Sequence, residues 1–475
     1  MTKCASPQDA VEKLKAIYAG QLEQIRQRFE VYATGESMDD AVDNGVYPML
    51  AVSVPRRQVR QTSMLSMGRI AGETLHAITV TRPDLFSDYL LEQLAYVEQR
   101  FDVSIFVGIS DVPIPLTFAL EQATARLTGN QKEGLQYFFH LPNLAATNDD
   151  IVDGRKILQR SGPLPLSLFT AERVDYSLHR IQHYTATDPE HFQPFILFTN
   201  YQRYVSEFIE TGLEQVKAGN AEMLVEPGGR ITYADGCPSC DEIAKMPQMP
   251  AYHLVRNNGQ GVTLVNIGVG PSNAKNITDH LAVLRPHAWL MIGHCGALRR
   301  SQSLGDYVLA HAYLRDDNVL DHVLPPSIPL PNIAEVQLAL TQSVLDETGL
   351  NRRELKKHLR TGTVVTTDDR NWELEFENIA TRLNQARAIA IDMESATIAA
   401  NGYRYRVPYG TLLCASDRPL HGEIKLPGMA DAFYQERVGQ HLKIGLRTVN
   451  YLAEEVKNGT LHSRKLRSFD EPLFR

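Results

Sequence analysis

Ala390-Ile391-Asp392-Met393-Glu394-Ser395-Ala396 is an apolar run that ends in Asp-Met-Glu and passes directly into residues suited to a helix. Asp417 lies 23 residues beyond Glu394, closing a second apolar run, Cys414-Ala415-Ser416-Asp417. A strand, a short helix and another strand fit that spacing. Two carboxyls then sit at neighbouring strand ends. One can hold a pair of sugar hydroxyls while the other protonates a leaving base, the division of labour that breaking a purine–ribose bond requires.

Working outward, strands alternate with helices from Tyr252 onward. Gly261 to Ile267 is a β-rich run ending in Gly268-Val269-Gly270-Pro271-Ser272, and Asn273 to Leu284 has helical spacing. Ala288 to Ile292 is a buried strand ending in Gly293-His294-Cys295-Gly296-Ala297. Leu304 to Ala312, Arg360 to Thr367, Ala388 to Met393 and Tyr409 to Ser416 read as further strands, and Glu423 to Tyr451 as closing helices. This alternation predicts an α/β fold, a three-layer αβα sandwich around a parallel or mixed sheet. Ligands of such sheets collect at the carboxyl ends of strands. The loops after Ile267, Ile292, Thr367, Met393 and Ser416 therefore form one candidate site.

Residues 1–175 read as a separate N-terminal α/β domain, 176–250 as a connecting helical segment and 251–475 as the domain carrying the two carboxyls. The Pro-rich stretch Ser161 to Pro165 marks the first boundary region. In the connecting segment Thr199-Asn200-Tyr201-Gln202 fits a capping box. Asn200 and Arg203 lie off the apolar face of the helix that would follow, where they can reach a ligand or serve structure. In the N-terminal domain Arg56, Arg57 and Arg60 cluster between two strand candidates. They read either as a solvated basic loop or as an anion site, because guanidinium forks match phosphate oxygens.

Composition excludes more than it assigns. Hydrophobic residues make up 43% of the 475, and the mean hydropathy is -0.25, so no apolar run approaches a membrane span. The opening Met-Thr-Lys-Cys-Ala-Ser lacks the apolar core of a secretory signal. Five cysteines in so long a chain imply no disulfide framework. A cytoplasmic protein is the expectation. A formal net charge of -8 argues against broad nucleic-acid binding.

Three motifs fall short of other chemistries. Gly268-Val269-Gly270 begins a dinucleotide fingerprint, but its third glycine is replaced by Asn273. The turn reads either as a tight strand–helix connection or as backbone N–H groups brought near an anion. Cys237-Pro238-Ser239-Cys240 is half a zinc site without a second half, so no metal is expected. Neither a zinc-protease helix nor a phosphate-loop lysine is present.

Together, Gly268-Val269-Gly270, Gly293-His294-Cys295-Gly296-Ala297, Asp392-Met393-Glu394-Ser395-Ala396 and Ser416-Asp417 resemble, in this order, the purine nucleoside phosphorylase and nucleosidase superfamily over roughly Ala251 to Leu452. The strings Val265 to Lys275, Thr361 to Glu373 and His421 to Gly428 resemble the AMP nucleosidase family within it. The resemblance implies hydrolysis of AMP to adenine and ribose 5-phosphate. Glu394 would hold the 2′- and 3′-hydroxyls, Met393 would pack under the sugar, and Asp417, positioned by Ser416, would protonate N7. Gly270, Ser272 and His294 would line the substrate site, with Arg370, Asn371 or Trp372 near the base. No cofactor is implied for the chemistry. Mg-ATP is implied as an activator, phosphate as an inhibitor, a regulatory role for residues 1–175, and a homo-oligomer, often a hexamer. Arg56, Arg57 and Arg60 are the candidates for the regulatory anion site.

Physical chemistry supports the assignment of roles. Adenine cannot depart readily as an anion, and protonation at N7 lets it leave neutral. An aspartic acid of ordinary pKa, about 3.9, must be desolvated to donate near neutrality. An ionised Glu394 opposes the positive charge growing on the sugar. The phosphorylases' phosphate-binding Arg and Ser correspond here to Met291 and His294, which favours water as the acceptor. His294 is a candidate to activate that water, or a structural histidine. Candidates for the substrate's 5′-phosphate are Arg203, Lys275, Arg370, Arg418 and Lys425. The competing readings are a phosphate-dependent nucleoside phosphorylase, a non-catalytic adenylate sensor and a dinucleotide-dependent oxidoreductase.

Overall fold

The computed structural model describes residues 1–35, 45–54, 75–120, 127–155, 162–239, 245–423, 431–468 and 471–475. Arg56, Arg57, Arg60 and Lys425 lie outside the described residues. The chain divides into two compact units, Met1–His179 with Arg467–Arg475, and Arg180–Leu466.

In the first unit a helix, Pro7–Thr34, begins where the Ser6 hydroxyl accepts the Asp9 amide (3.2 Å) and ends at Gly35 with φ of 79°. These are ordinary start and stop devices. The unit's sheet contains β1 (Thr2–Lys3), β2 (Val46–Ser53), β3 (Leu75–Thr79), β4 (Ser104–Pro113) and β5 (Leu164–Pro165), in the order β1-β4-β2-β3-β5. Val11 and Leu14 of the helix share a buried core with Leu50, Val52 and Val107 of the sheet. Leu473 and Phe474 join that same core, and the Phe474 amide donates to the Leu166 carbonyl (2.9 Å). The C-terminal residues thus belong to the first unit, not to the domain read as 251–475. Two apolar residues so near a chain end gave no cue to which core they enter. A buried polar group also sits here. Asp175 accepts from the Tyr47 hydroxyl (2.6 Å) and the Thr81 hydroxyl (2.7 Å), and burial pushes its carboxyl up to about 7.

The second unit is built on an eleven-stranded sheet. Its strands are β6 (Phe195–Thr199), β7 (Met223–Glu226), β8 (Arg230–Tyr233), β9 (Gly236–Ser239), β10 (Ala251–Val255), β11 (Val262–Asn266), β12 (Ala288–Ala297), β13 (Tyr307–Asp316), β14 (Leu359–Thr367), β15 (Ala388–Asp392) and β16 (Tyr409–Asp417). They run in the order β15-β14-β13-β16-β12-β6-β11-β10-β7-β8-β9. Trp289, Leu290, Met291 and Ile292 are all buried, as strands covered on both faces must be. Helices Gln202–Lys217 and Ala334–Thr348 pack against Asp431–Lys457, while Pro271–Leu281 packs against Ser395–Tyr405. This is the expected three-layer arrangement.

The segment 176–250, expected as a helical connector, contributes four strands, one of them central. Phe195–Thr199 is entirely buried and runs parallel to both β11 and β12. The Thr199 capping box does not form, because Thr199 ends that strand and the helix starts only at Gln202. Four consecutive apolar residues, Phe195 to Phe198, carry no period, so helix and strand are hard to separate from sequence.

Candidate active site

β12 is the axis of the site. One flank pairs with β16 from Trp289 to Gly296, with a bulge after Cys295. The other flank pairs with β6 through Ala288–Met291 and with β15 at Gly296 and Ala297. Ile292–Cys295 separates those two pairings. Over this interval the chain leaving β6 and the chain leaving β15 meet, a switch point of the kind where α/β sheets bind ligands.

Glu394 lies two residues past β15 and is 1% exposed. Its two oxygens have separate donors. The Gly270 amide donates to Oε1 at 2.7 Å, and the Asn200 side-chain amide donates to Oε2 at 3.0 Å. Gly270 adopts φ of 115°, a region that residues with a Cβ avoid, so the turn after β11 can aim its N–H at the carboxylate. The Gly-Val-Gly turn therefore does bring an N–H to an anion, but the anion belongs to the protein. Burial, then the neighbouring Asp392, pushes Glu394 up to about 8, and the Gly270 and Asn200 donors oppose that rise.

Asp392 was not singled out from sequence, yet it organises this strand end. It accepts from the Thr366 hydroxyl at 2.6 Å, the Ser395 amide at 3.0 Å and the Ser395 hydroxyl. The Thr366 oxygen in turn accepts the Ala396 amide at 2.8 Å. Asp392 thus ties β14 to the first turn of helix Ser395–Tyr405, where orphan N–H groups and the helix dipole favour an acceptor. Burial pushes it up to about 6. We read Asp392 as the more readily ionised of the two carboxyls, because it collects more donors. The Asp-x-x-Ser spacing carried this signal, whereas Thr366 comes from a distant strand and carried none.

The second expected carboxyl stands at the end of β16. The Ser416 hydroxyl reaches the Asp417 carboxylate (2.5 Å) and the Cys295 carbonyl (3.3 Å), pinning the pair to β12. Asp417 is half-buried and registers against Gly296. A Cβ on Gly296 would lie 3.2 Å from the Ile391 side chain and 3.6 Å from Asp417 Oδ2. Glycine there lets the strand carry a carboxyl close to its neighbour.

Of the remaining expected residues, His294 is buried on β12, with its ring 4.6 Å from that of Tyr201. Met393 is half-buried beside Glu394, and Ser272 is exposed at the start of helix Pro271–Leu281. Arg370 and Asn371 are exposed on the loop after β14. Trp372, by contrast, is buried among Leu298, Val365, Leu383, Ala388 and Ile391. That packing suits its large apolar surface and makes it a core residue. Arg203 is exposed in the first turn of its helix. Arg418 is held by the Glu423 carboxylate and the Gln302 carbonyl (2.7 Å), and Lys275 pairs with Asp279.

Residues 247–450 match the family model described as the phosphorylase superfamily, and residues 9–163 match the one described as the bacterial AMP nucleoside phosphorylase N-terminus. Fold and site thus define a nucleoside phosphorylase-type domain preceded by a second, family-specific one. Across 480 aligned residues the chain is 50% identical to AMP nucleosidase of Escherichia coli (strain K12), covering 99% of this chain and 98% of that one. It belongs to the AMP nucleosidase family. It is also 28% identical over 194 residues to the 5'-methylthioadenosine/S-adenosylhomocysteine nucleosidase of Staphylococcus carnosus, across 39% of this chain and 78% of that one. The crystal structure of AMP nucleosidase from Bacteroides thetaiotaomicron has 27% sequence identity and a TM-score of 0.43, over 60% of this chain and 99% of that chain. No described helix is long and apolar enough to cross a membrane.

Proposed function

We propose that this protein is an N-glycosyl hydrolase that splits AMP into adenine and ribose 5-phosphate. The observation that carries the reading is the 50% identity to an AMP nucleosidase across 99% of the chain.

The site supplies a mechanism. Each Glu394 oxygen already accepts one N–H, which fixes the carboxylate plane and leaves lone pairs for the 2′- and 3′-hydroxyls of ribose. Its negative charge, held in a dry strand end, stabilises the cationic sugar of the transition state. Asp417, oriented by Ser416, donates the proton that lets adenine leave neutral. Met291 is fully buried, where a phosphorylase would present an arginine fork, so nothing at that position recruits phosphate as the attacking group.

The finer expectations extend this reading. We assign Mg-ATP activation and phosphate inhibition to the N-terminal unit, whose residues 9–163 match a segment described from bacterial AMP nucleoside phosphorylases. Assembly as a homo-hexamer and a cytoplasmic location complete the proposal.

Product analysis tests it. AMP alone should yield adenine and ribose 5-phosphate without inorganic phosphate, and Asp417→Asn should abolish turnover while AMP still binds. Phosphate-dependent turnover preferring adenosine would make the protein a phosphorylase. Tight AMP binding without any adenine would make it a sensor.

A further inference from the structure

Glu394 shares its strand end with a second buried carboxyl, Asp392, two residues before it. Helix Ser395–Tyr405 starts directly after Glu394, and its first three residues are each tied to a different strand end. Ser395 donates its amide (3.0 Å) and its hydroxyl to Asp392 Oδ2 in β15. The Ala396 amide donates to the Thr366 oxygen in β14 (2.8 Å), and Thr366 donates in turn to Asp392 Oδ1 (2.6 Å). Thr397 donates its hydroxyl to Asp317, the residue after β13. Glu394 therefore occupies the joint between a strand and a helix, and one carboxylate binds the two sides of that joint together.

The donors define the form of Asp392. Thr366 accepts an N–H, so its own hydrogen goes to Asp392, and both Asp392 oxygens are left as acceptors. The Glu394 backbone N–H also favours an ionised Asp392. Acting on Glu394 are Asp392 from β15, the Gly270 amide from the turn after β11, the Asn200 amide from the chain leaving β6 and the Met393 backbone. Among these Asp392 supplies the charge. Around Asp392 stand Cys295 of β12 and Tyr313 of β13, whose thiol and phenol burial pushes up, so both are neutral. A like charge disfavours a second carboxylate beside it.

We propose that Asp392 is a positioning residue for Glu394: its carboxylate clamps the turn that carries Glu394, and its charge decides how readily Glu394 takes up the ionised form that accepts the ribose hydroxyls. This rests on the hydrolase reading above, in which Glu394 anchors the sugar. The two effects separate on substitution. Asparagine at this position removes the charge and keeps the clamp, because its amide oxygen can face Ser395 while its NH2 faces the remaining lone pair of Thr366. Alanine removes both. A residue that merely capped the helix would need an acceptor, and its loss would leave the ionisation of Glu394 where it was.

The test follows kcat/KM for AMP across pH. The unaltered enzyme is first assayed for adenine release from AMP, and absence of adenine would overturn the hydrolase reading itself. With that activity in hand, kcat/KM in the parent should rise with pH as Glu394 ionises. Asp392→Asn should move this limb to lower pH by about one unit, in the range that a neighbouring charge commands. Near pH 6.5 the variant should then be roughly fivefold more active than the parent. Asp392→Ala should move the limb the same way, with an alkaline plateau roughly tenfold or more below that of Asp392→Asn, because Glu394 loses its fixed turn. A limb that stays in place or moves to higher pH in Asp392→Asn would overturn the proposal, as would equal plateaus in the two variants. Should neither variant fold, carbon NMR of the unaltered protein labelled at its side-chain carboxyls decides. Asp392 and Glu394 signals that each respond to the other's titration support the pairing, and two independent single-step titrations refute it.

Discussion

Replacing Asn200 with alanine removes one of the two N–H groups that hold Glu394, and the outcome can be worked from the geometry. The Asn200 donor lies 3.0 Å from Oε2, and the Gly270 amide at 2.7 Å from Oε1 remains. A hydrogen bond to a charged group is worth about 1.5–3 kcal/mol, and each pKa unit is worth about 1.4 kcal/mol, so the lost bond raises Glu394 by about one to two units. Glu394 already stands at about 8. The charged form is the one that accepts ribose hydroxyls, so kcat/KM should rise with pH through the raised pKa and level off above it. Near pH 7.5 Asn200→Ala should therefore cut kcat/KM for AMP by about 10- to 100-fold, with activity recovering as pH approaches about 9 to 10. The assay is kcat/KM for AMP from acid to alkaline pH in both proteins. A loss by the same factor at every pH would show that Asn200 does not act through the Glu394 charge. No loss at all would remove Glu394 from ribose binding.

Two further outcomes follow from the same coordinates. Gly270→Ala forces a Cβ into a φ of 115°, a strain of about 1–3 kcal/mol, so kcat/KM should fall roughly 5- to 100-fold, and unaltered kinetics would argue against the Gly270–Glu394 contact. Asp175 is raised to about 7, so it binds a proton more tightly folded than unfolded. Its contribution is fully present below about pH 4 and is lost as pH rises through about 7, with roughly 4 kcal/mol as an upper bound. Asp175→Asn cannot titrate, so thermal unfolding should find it with a weaker loss of stability between pH 5 and 8 than the parent. Parallel curves would counter the assignment.

What the sequence revealed and what it hid divide along physical lines. Strand ends that carry polar residues after apolar runs were legible, as at Asp392-Met393-Glu394 and Ser416-Asp417, because pattern and chemistry coincide within a few residues. Asn200 was legible as a residue off the helix face, but its true partner, 194 positions away, was not. Thr199 was misread for the opposite reason. Its local spacing fitted a helix cap, and burial of the whole Phe195–Thr199 run in the sheet overrode it. Trp372 sits in a loop that reads as base-contacting, yet the free energy of burying so large an apolar side chain drew it into a core cluster. Tyr204 and His441 are ordinary helix residues in sequence, and only the fold brings them to His294.

The short pairing of β15 back onto β12 has a consequence for solubility. Because β12, β16, β13, β14 and β15 close on themselves, the end of the large sheet that carries the two carboxyls offers no unpaired outer strand. Strand addition by another chain, the first step of sheet aggregation, has no template there. Among the described residues the exposed border lies at the opposite end, on the four-residue Gly236–Ser239. In the first unit the borders are the two-residue strands Thr2–Lys3 and Leu164–Pro165. Among the described residues the outermost strands are thus short, and the two carboxyls lie at the end of the large sheet that closes on itself.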